Sequence, residues 1–365
     1  MCKFTNSFPA ELLFKRRTAR PEDVRGPYFR DQTAIIHSLA FRRLKHKTQV
    51  FFSPENDHIC TRIEHSLHVA SIAATICKAL GLDEELAHAI GLGHDLGHAP
   101  FGHAGEIALN DLLKTLFVHE IHSLRVADQL ENYGKGLNLT FAVRDGIVSH
   151  CGELDEQFVD IAKTPNNLDF IDKRPDCPST WEACAVRISD SIAYLGRDLE
   201  DAVKANLIAR DDIPESIQKN LGIRNSEIIN NLVDDVIDWS SAHNKIGFSD
   251  KIFELVTEFK QFSRRHIYQN PKMKYWNDYS RTVLFSIYQY LSQLFDKFQT
   301  DWDAYAASAI ALDNKFGKYV HALEKVYQPV GFDPDIVLKD YIAGMTDNYA
   351  LHCFENILTA GTTGL

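Results

Sequence analysis

Eight of the sixteen histidines fall between positions 65 and 122: His65, His68, His88, His94, His98, His103, His119 and His122, with Asp95 directly after His94. A cluster this dense binds a metal or moves protons. His65, the His94-Asp95 pair and the distant Asp190 together offer two imidazoles and two carboxylates to one cation. Such a mixed nitrogen and oxygen set suits Mn, Fe, Ni, Co or Mg better than structural zinc, which favours thiolates. An adjacent His-Asp pair alone carries little weight, so its neighbours must decide.

The elements that would position these groups are helices. Thr61 and Glu64 form a capping-box sequence, after which Ile63, Leu67, Ile72, Ile76 and Leu80 recur at helical spacing until Gly81 supplies a stop. His65 therefore belongs to the first turns of a helix. Asp83 is placed to cap a second helix through Leu86, Ala89, Ile90 and Leu92, which delivers His94 and Asp95 just before Gly97. Two consecutive antiparallel helices joined by a short turn would bring these groups near one ion. A third helix, about Trp181 to Ala205, carries Asp190, Tyr194 and Asp198 at i, i+4 and i+8. A four-residue step rotates a side chain by only about 40°, so the three line one side. Without the upstream groups, Asp190 would read as a surface acid and Tyr194 as a core aromatic.

Composition sets the frame. A chain of 365 residues with 45% hydrophobic and 24% charged residues is long enough for one large helical domain or two packed lobes. No leader-like apolar run or membrane-length apolar stretch occurs, so a cytoplasmic protein without membrane association is expected. The seven cysteines are scattered, odd in number and never spaced as C-x-x-C, which points to reduced, mostly buried thiols. The net charge of −11 hides a basic N-terminus, where Arg42, Arg43, Lys45 and Lys47 could face phosphates or, as Arg43 does more often, serve structural ion pairs. General nucleic-acid binding is disfavoured by the acidic whole, while a local strand-binding groove stays open.

Three segments carry a family resemblance. Arg62-Ile63-Glu64-His65-Ser66-Leu67, Gly93-His94-Asp95-Leu96-Gly97-His98-Ala99-Pro100-Phe101-Gly102-His103-Ala104-Gly105-Glu106, and Ile188-Ser189-Asp190-Ser191-Ile192-Ala193-Tyr194 resemble the HD-domain deoxynucleoside triphosphate triphosphohydrolases, the dGTPase-like proteins. Phe41-Arg42-Arg43-Leu44, Lys47-Thr48-Gln49-Val50-Phe51, Arg144-Asp145-Gly146-Ile147-Val148 with His150, and Asp340-Tyr341-Ile342-Ala343-Gly344-Met345-Thr346-Asp347 extend it. The resemblance is close through about residues 28–205, thin through 210–330, and returns at 340–350.

It implies an all-α HD-domain metal-dependent phosphohydrolase fold with a C-terminal helical extension: a catalytic core over residues 1–205 and a helical lobe over 206–365. It assigns a divalent metal ion to His65, His94, Asp95 and Asp190. His103 would donate or accept a proton, with Glu106 orienting its ring. Arg62, His98 and His119 would contact the triphosphate, Tyr194 and Asp198 the sugar or phosphates, and Tyr341 the nucleotide. Gln49 would bond the 3′-hydroxyl, with Val50 crowding the 2′ carbon against ribonucleotides. The implied reaction cleaves a deoxynucleoside triphosphate at the α-phosphorus into deoxynucleoside and inorganic triphosphate. Homo-oligomers and a second dNTP as effector are implied too. The alternatives are another HD nucleotide phosphohydrolase, such as a nucleotidase or phosphodiesterase, and a non-catalytic nucleotide-binding regulator.

The chain departs from the family pattern at Glu64 and His68 around the first metal histidine, in the segment Phe117 through Arg125 on both sides of His119, and at Ser191. These changes bear on base preference, phosphate contacts and metal identity, and leave the ligand set intact. Residues 206–330 are rich in aromatics from Phe253 to Phe298, whose simplest use is to pack a second helical lobe.

Overall fold

The computed structural model describes residues 4–51, 58–151 and 156–360; Cys2 and the final residues 361–365 of the expected C-terminal lobe lie outside them. The architecture is all-α. Its main helices are α1 (Gly26–Ile36), α2 (Arg62–Leu80), α3 (Glu84–Gly93), α4 (Gly102–Leu112), α5 (His119–Arg125), α6 (Phe141–Val148), α7 (Trp181–Lys204), α8 (Asn225–His243), α9 (Asp250–Ser263), α10 (Pro271–Phe298), α11 (Ala311–Ala322), α12 (Pro334–Ala343) and α13 (Asp347–Ala360). Among the described residues the one sheet is an antiparallel pair, Phe158–Val159 with Ile246–Gly247.

The helices begin and end where their capping residues dictate. The Thr61 N–H donates to Glu64 Oε2 at 2.8 Å, and Gly81 ends α2 in the left-handed region at φ 72°. Asp83 Oδ1 accepts from the Glu85 and Leu86 amides at 2.9 and 3.1 Å, so α3 starts one residue later. Thr180 Oγ1 accepts from the Ala183 amide at 3.2 Å at the head of α7. Each such cap is worth about 1 kcal/mol.

Helix α3 is the central piece, packed against α1, α2, α6 and α7. Its Gly91 lets α2 approach closely, because a Cβ there would stand 2.6 Å from Ala70 Cα. Ile76 of α2 and Leu86 and Ile90 of α3 are fully buried, each worth about 1.5–3 kcal/mol relative to exposure.

Two hydrophobic cores result, and neither stops at residue 205. The first runs from Phe4 to Met273, taking in α8 and α9; the second joins residues Ala99 to Phe117 with Val283 to Cys353. Helix α4 therefore follows the His94-Asp95 pair in sequence but packs its apolar face on α10. Of the aromatic stretch, Phe259, Phe262 and Phe295 are buried in the two cores while Tyr275 and Phe285 are exposed; Phe316 packs edge-on against both Phe295 and Tyr305.

Polar groups clasp this C-terminal unit to the histidine cluster. Buried Lys47 donates through Nζ to the carbonyls of His98 and, at 2.7 Å, Ala343. Asp347 accepts from the Thr48 and Phe101 amides, each at 2.8 Å, and Asp340 takes a bidentate contact from Arg125. Arg43 reaches Glu131 at 3.6 Å, the structural ion pair that was one of its two readings.

Gly97 fixes how closely α5 approaches the His94-Asp95 pair. A Cβ there would lie 2.3 Å from the Ser123 nitrogen and 2.4 Å from the His122 carbonyl carbon, backbone that cannot rotate aside. Gly97→Ala is expected to cost about 1–3 kcal/mol, as overpacked interiors do, and to push His119 away from Asp95. Chemical denaturation checks the first effect; a variant as stable as wild type would contradict it.

Candidate active site

The four proposed ligands converge. His65, His94 and Asp95 bring their ligand atoms within 4.8 Å of one another. Asp190 Oδ1 lies 2.9 Å from His65 Nε2 and 4.0 Å from His94 Nε2. His65 comes from the first turn of α2, His94 and Asp95 from the end of α3, and Asp190 from the middle of α7. All are buried except Asp190, which keeps partial access.

The donor chemistry fits a divalent cation. His94 Nδ1 donates to the Gly91 carbonyl at 2.7 Å, which fixes the tautomer and turns the Nε2 lone pair inward, where that atom has no hydrogen-bond partner. Burial alone would raise both carboxyls. Instead Arg62 and His94 hold Asp95 well below the usual range, and the hydrogen bond and charge of His65 do the same for Asp190. Two buried anions facing two imidazoles make a site that a hard or borderline cation neutralises.

A wall of cationic and polar groups rises beside the quartet. Arg62 donates to Asp95 Oδ2 at 2.5 Å and to the Gln49 carbonyl at 3.3 Å, while its Nε is buried without a partner. The rings of His98 and His119 lie 4.6 Å apart, those of His98 and His103 stack at 5.5 Å, and those of His103 and His119 at 6.3 Å. His98 Nε2 is buried and unpartnered, as is Gln49 Oε1.

Glu106 lies close to His98 and His103, yet its hydrogen bonds go to His119. Its oxygens accept from the His119 amide and face His119 Nδ1, all at 3.1–3.3 Å. The reason is local: α4 begins only at Gly102, so His103 stands at the exposed mouth while Glu106, one turn on, points back at the head of α5.

The two histidines then carry opposite tendencies. Surrounding protein and the neighbouring cations Arg62 and His119 lower His103 to about 4, an effect that the ring's openness to solvent moderates. Burial would lower His119 as well, but the contact with Cys151 Sγ, and after it Glu106 and Glu120, outweigh it and hold His119 well above its ordinary value. Burial pushes the Cys151 thiol up to about 12, with the facing His119 ring pulling the other way.

On the other side, Tyr194 and Asp198 follow Asp190 along α7 as the spacing requires. Asp198 accepts from Tyr268 Oη at 2.6 Å, a partner on the far side of a 70-residue gap that no spacing pattern announces. Burial raises Asp198 to about 7, overcoming the lowering by Tyr268 and Arg62. Because its folded value exceeds the unfolded value of about 4, the stabilising preference is fully present below about pH 4 and is lost as pH rises through about 7. Asp198→Asn should therefore flatten the fall of melting temperature between those limits; an unchanged slope relative to wild type would contradict the assignment.

Tyr341 is not brought to this cluster. Its hydroxyl meets Tyr349 Oη at 2.9 Å and its ring packs on Phe316 and Tyr319 in the second core. From that segment, Ala343 and Asp347 reach the site's surroundings instead, through Lys47, Thr48 and Phe101. His150 and Cys151, to which sequence reading gave no role, stand against His94 and His119: the His94 and His150 rings lie 4.8 Å apart, and Cys151 Sγ is 3.3 Å from His119 Nε2. The one signal available was the position of His150 within the resembling 144–150 segment.

Similarity to known proteins agrees with this geometry. Residues 62–195 match the HD domain and residues 246–356 the phosphohydrolase-associated domain. The chain is 37% identical to a deoxyguanosinetriphosphate triphosphohydrolase-like protein of Caldanaerobacter subterraneus subsp. tengcongensis, over 97% of this chain and 92% of that protein. It is 38% identical to one of Desulfatibacillum aliphaticivorans over 94% and 90%, and 37% identical to one of Clostridium tetani over 92% and 86%. Among the described residues no helix is long and apolar enough to cross a membrane. With both domains of the match lying on the helices that carry the quartet and the clasp, the chain belongs to the HD-domain, deoxyguanosinetriphosphate triphosphohydrolase-like family of phosphohydrolases.

Proposed function

We propose that this protein hydrolyses a deoxynucleoside triphosphate at the α-phosphorus, releasing the deoxynucleoside and inorganic triphosphate. The observation that carries this reading is the run of imidazoles from His98, His103 and His119 beside the Arg62 guanidinium, all flanking the quartet. That many donors beside a metal site suit a polyanion of several phosphates. The relatives, named as deoxyguanosinetriphosphate triphosphohydrolase-like proteins, support the same substrate class.

In this reading the quartet of His65, His94, Asp95 and Asp190 would hold a divalent cation, which neutralises phosphate charge and acidifies bound water. Arg62 and His119 bind and orient the phosphate chain. His103, neutral at pH 7 with its value lowered to about 4, accepts a proton from the attacking water. The hydroxide adds to the α-phosphorus, the bond from phosphorus to O5′ breaks, and a proton passes to O5′. His119, whose charged form its contacts with Cys151, Glu106 and Glu120 favour, is the group suited to stabilise the developing phosphate charge. Gln49, with its unpartnered oxygen, and the Asp198–Tyr268 pair give the sugar its hydrogen-bonding wall.

The reading is tested by incubating the protein with Mn²⁺ or Mg²⁺ and each of the four dNTPs and matching NTPs, with products resolved by anion exchange. Deoxynucleoside with intact triphosphate, from deoxy substrates in preference to ribo, is the expected result. Monophosphates or stepwise phosphate release would replace it with a nucleotidase or phosphodiesterase; no product would replace it with a nucleotide-binding regulator. A cytoplasmic homo-oligomer that responds to a second dNTP belongs to the same proposal, checked by sedimentation and by mixed-nucleotide turnover.

A further inference from the structure

Between His98 and His103 the backbone passes through two left-handed residues in succession, Phe101 at φ 63° and Gly102 at φ 62°. Glycine enters that region freely, but an L side chain crowds its own backbone there. A bulky residue stays left-handed only where its surroundings hold it, and such residues gather at active sites. The Phe101 ring is itself buried in the second core, so the turn is pinned from the side chain as well as the backbone.

The backbone hold comes from Asp347, the buried first residue of α13. Its Oδ1 accepts from the Phe101 amide and its Oδ2 from the Thr48 amide, each at 2.8 Å. Two amide donors need an acceptor at both ends of one short side chain; a carboxylate provides that, whereas asparagine would turn an N–H toward one of them. One side chain thus ties the left-handed turn to the segment that runs into Gln49. The two segments are already in close contact, since a Cβ on Gly102 would stand 2.8 Å from the Gln49 carbonyl oxygen. Lys47 adds a second tie, from the Ala343 carbonyl to that of His98. His103 follows Gly102 directly, so any rotation at Phe101 is carried to its ring.

We propose that Asp347 is a positioning residue of the active site: by holding Phe101 left-handed against the Thr48-Gln49 segment, it sets where His103 stands. The C-terminal unit then supplies part of the catalytic geometry without touching substrate. This assignment rests on the proposed hydrolysis, in which His103 moves the proton. Arg62 and His119, which orient the phosphate chain, lie outside the turn, so the effect falls on turnover and not on substrate affinity.

Asp347→Asn keeps the shape of the side chain and leaves one of the two amides facing a donor. In the metal-loaded protein, given the dNTP it turns over best, kcat should fall by about 10–100-fold, as a misplacement of about 1 Å does. KM should stay within about twofold of wild type, with metal content unchanged. In a His103→Ala background the same change should have little further effect, because it acts through that residue. Gly102→Ala crowds the turn from the Gln49 side without altering the C-terminal unit, and should lower kcat in the same range. Tyr290→Phe removes a hydrogen bond to Asp313 inside that unit, and should leave kcat as it is. Wild-type kcat in Asp347→Asn or Gly102→Ala, an undiminished loss on top of His103→Ala, or an equal loss in Tyr290→Phe would overturn the proposal. Hydrogen exchange gives a readout that needs no substrate. Asp347→Asn should quicken exchange about tenfold in the peptide over residues 44–51 or that over 96–104, with α2 and α3 protected as in wild type. Should the wild type release no deoxynucleoside, the substrate reading fails and exchange alone decides; unchanged exchange in both peptides would overturn the role of Asp347 in either case.

Discussion

Asp190→Asn should yield a folded protein that neither retains a divalent ion in the quartet nor turns over substrate. The amide has the shape of the carboxylate and keeps a contact with His65 Nε2, so the change removes a charge and a ligand without opening a cavity. Even changes to groups behind the ligands cost about 10–100-fold in metal affinity, and loss of a ligand should weaken binding by at least about a hundredfold. The metal's charge stabilisation is worth several kcal/mol, so turnover at fixed metal should fall by about a thousandfold or more. Metal analysis after dialysis, with circular dichroism as the check on folding, decides it. A variant that holds its ion as tightly as wild type would remove Asp190 from the ligand set.

The second large effect separates chemistry from metal binding. His103→Ala should cut turnover by about 10²–10⁴-fold, the usual contribution of a proton-transfer residue, while leaving metal content unchanged. The exposure of the ring and its absence from the quartet make this clean: nothing collapses around it. Glu106→Gln should act differently, through His119, because that is where its hydrogen bonds go. If His103 acts as base, its lowered value places the acid limb of the turnover profile well below pH 6.5, and His103→Ala should erase that limb. Full activity in His103→Ala would sink the mechanism.

The parts of this molecule readable in sequence are those set by short-range rules. The box at Thr61 and Glu64, the stop at Gly81, the cap at Asp83 and the four-residue steps of α7 each follow from backbone hydrogen bonding over one or two turns. They locate the quartet because each ligand sits at a fixed offset from such a signal. The partners reached across the fold were not readable. Tyr268 against Asp198, Lys47 against Ala343, and Cys151 between two histidines depend on how helices cross, and no periodicity encodes that. The Glu106 contact shows the same limit from close by: a three-residue spacing suggested His103, yet the start of α4 at Gly102 turned the carboxylate to His119. The division into cores is another instance, since α4 belongs by sequence to the first unit and by packing to the second.

The clasp made by Lys47 and Asp347 has a consequence for how the molecule is made. All four quartet residues have been made once position 190 is translated, but the carboxylate of Asp347 that the Thr48 and Phe101 amides donate to comes more than 150 positions later. The Ala343 carbonyl that Lys47 also holds, and before it the surface of α10 that covers the buried wall of α4, likewise come after the quartet. A nascent or prematurely terminated chain thus carries the quartet without the fastening that holds its surroundings. Competence for chemistry arrives near the end of synthesis, so fragments released early would be inert toward the nucleotide pool.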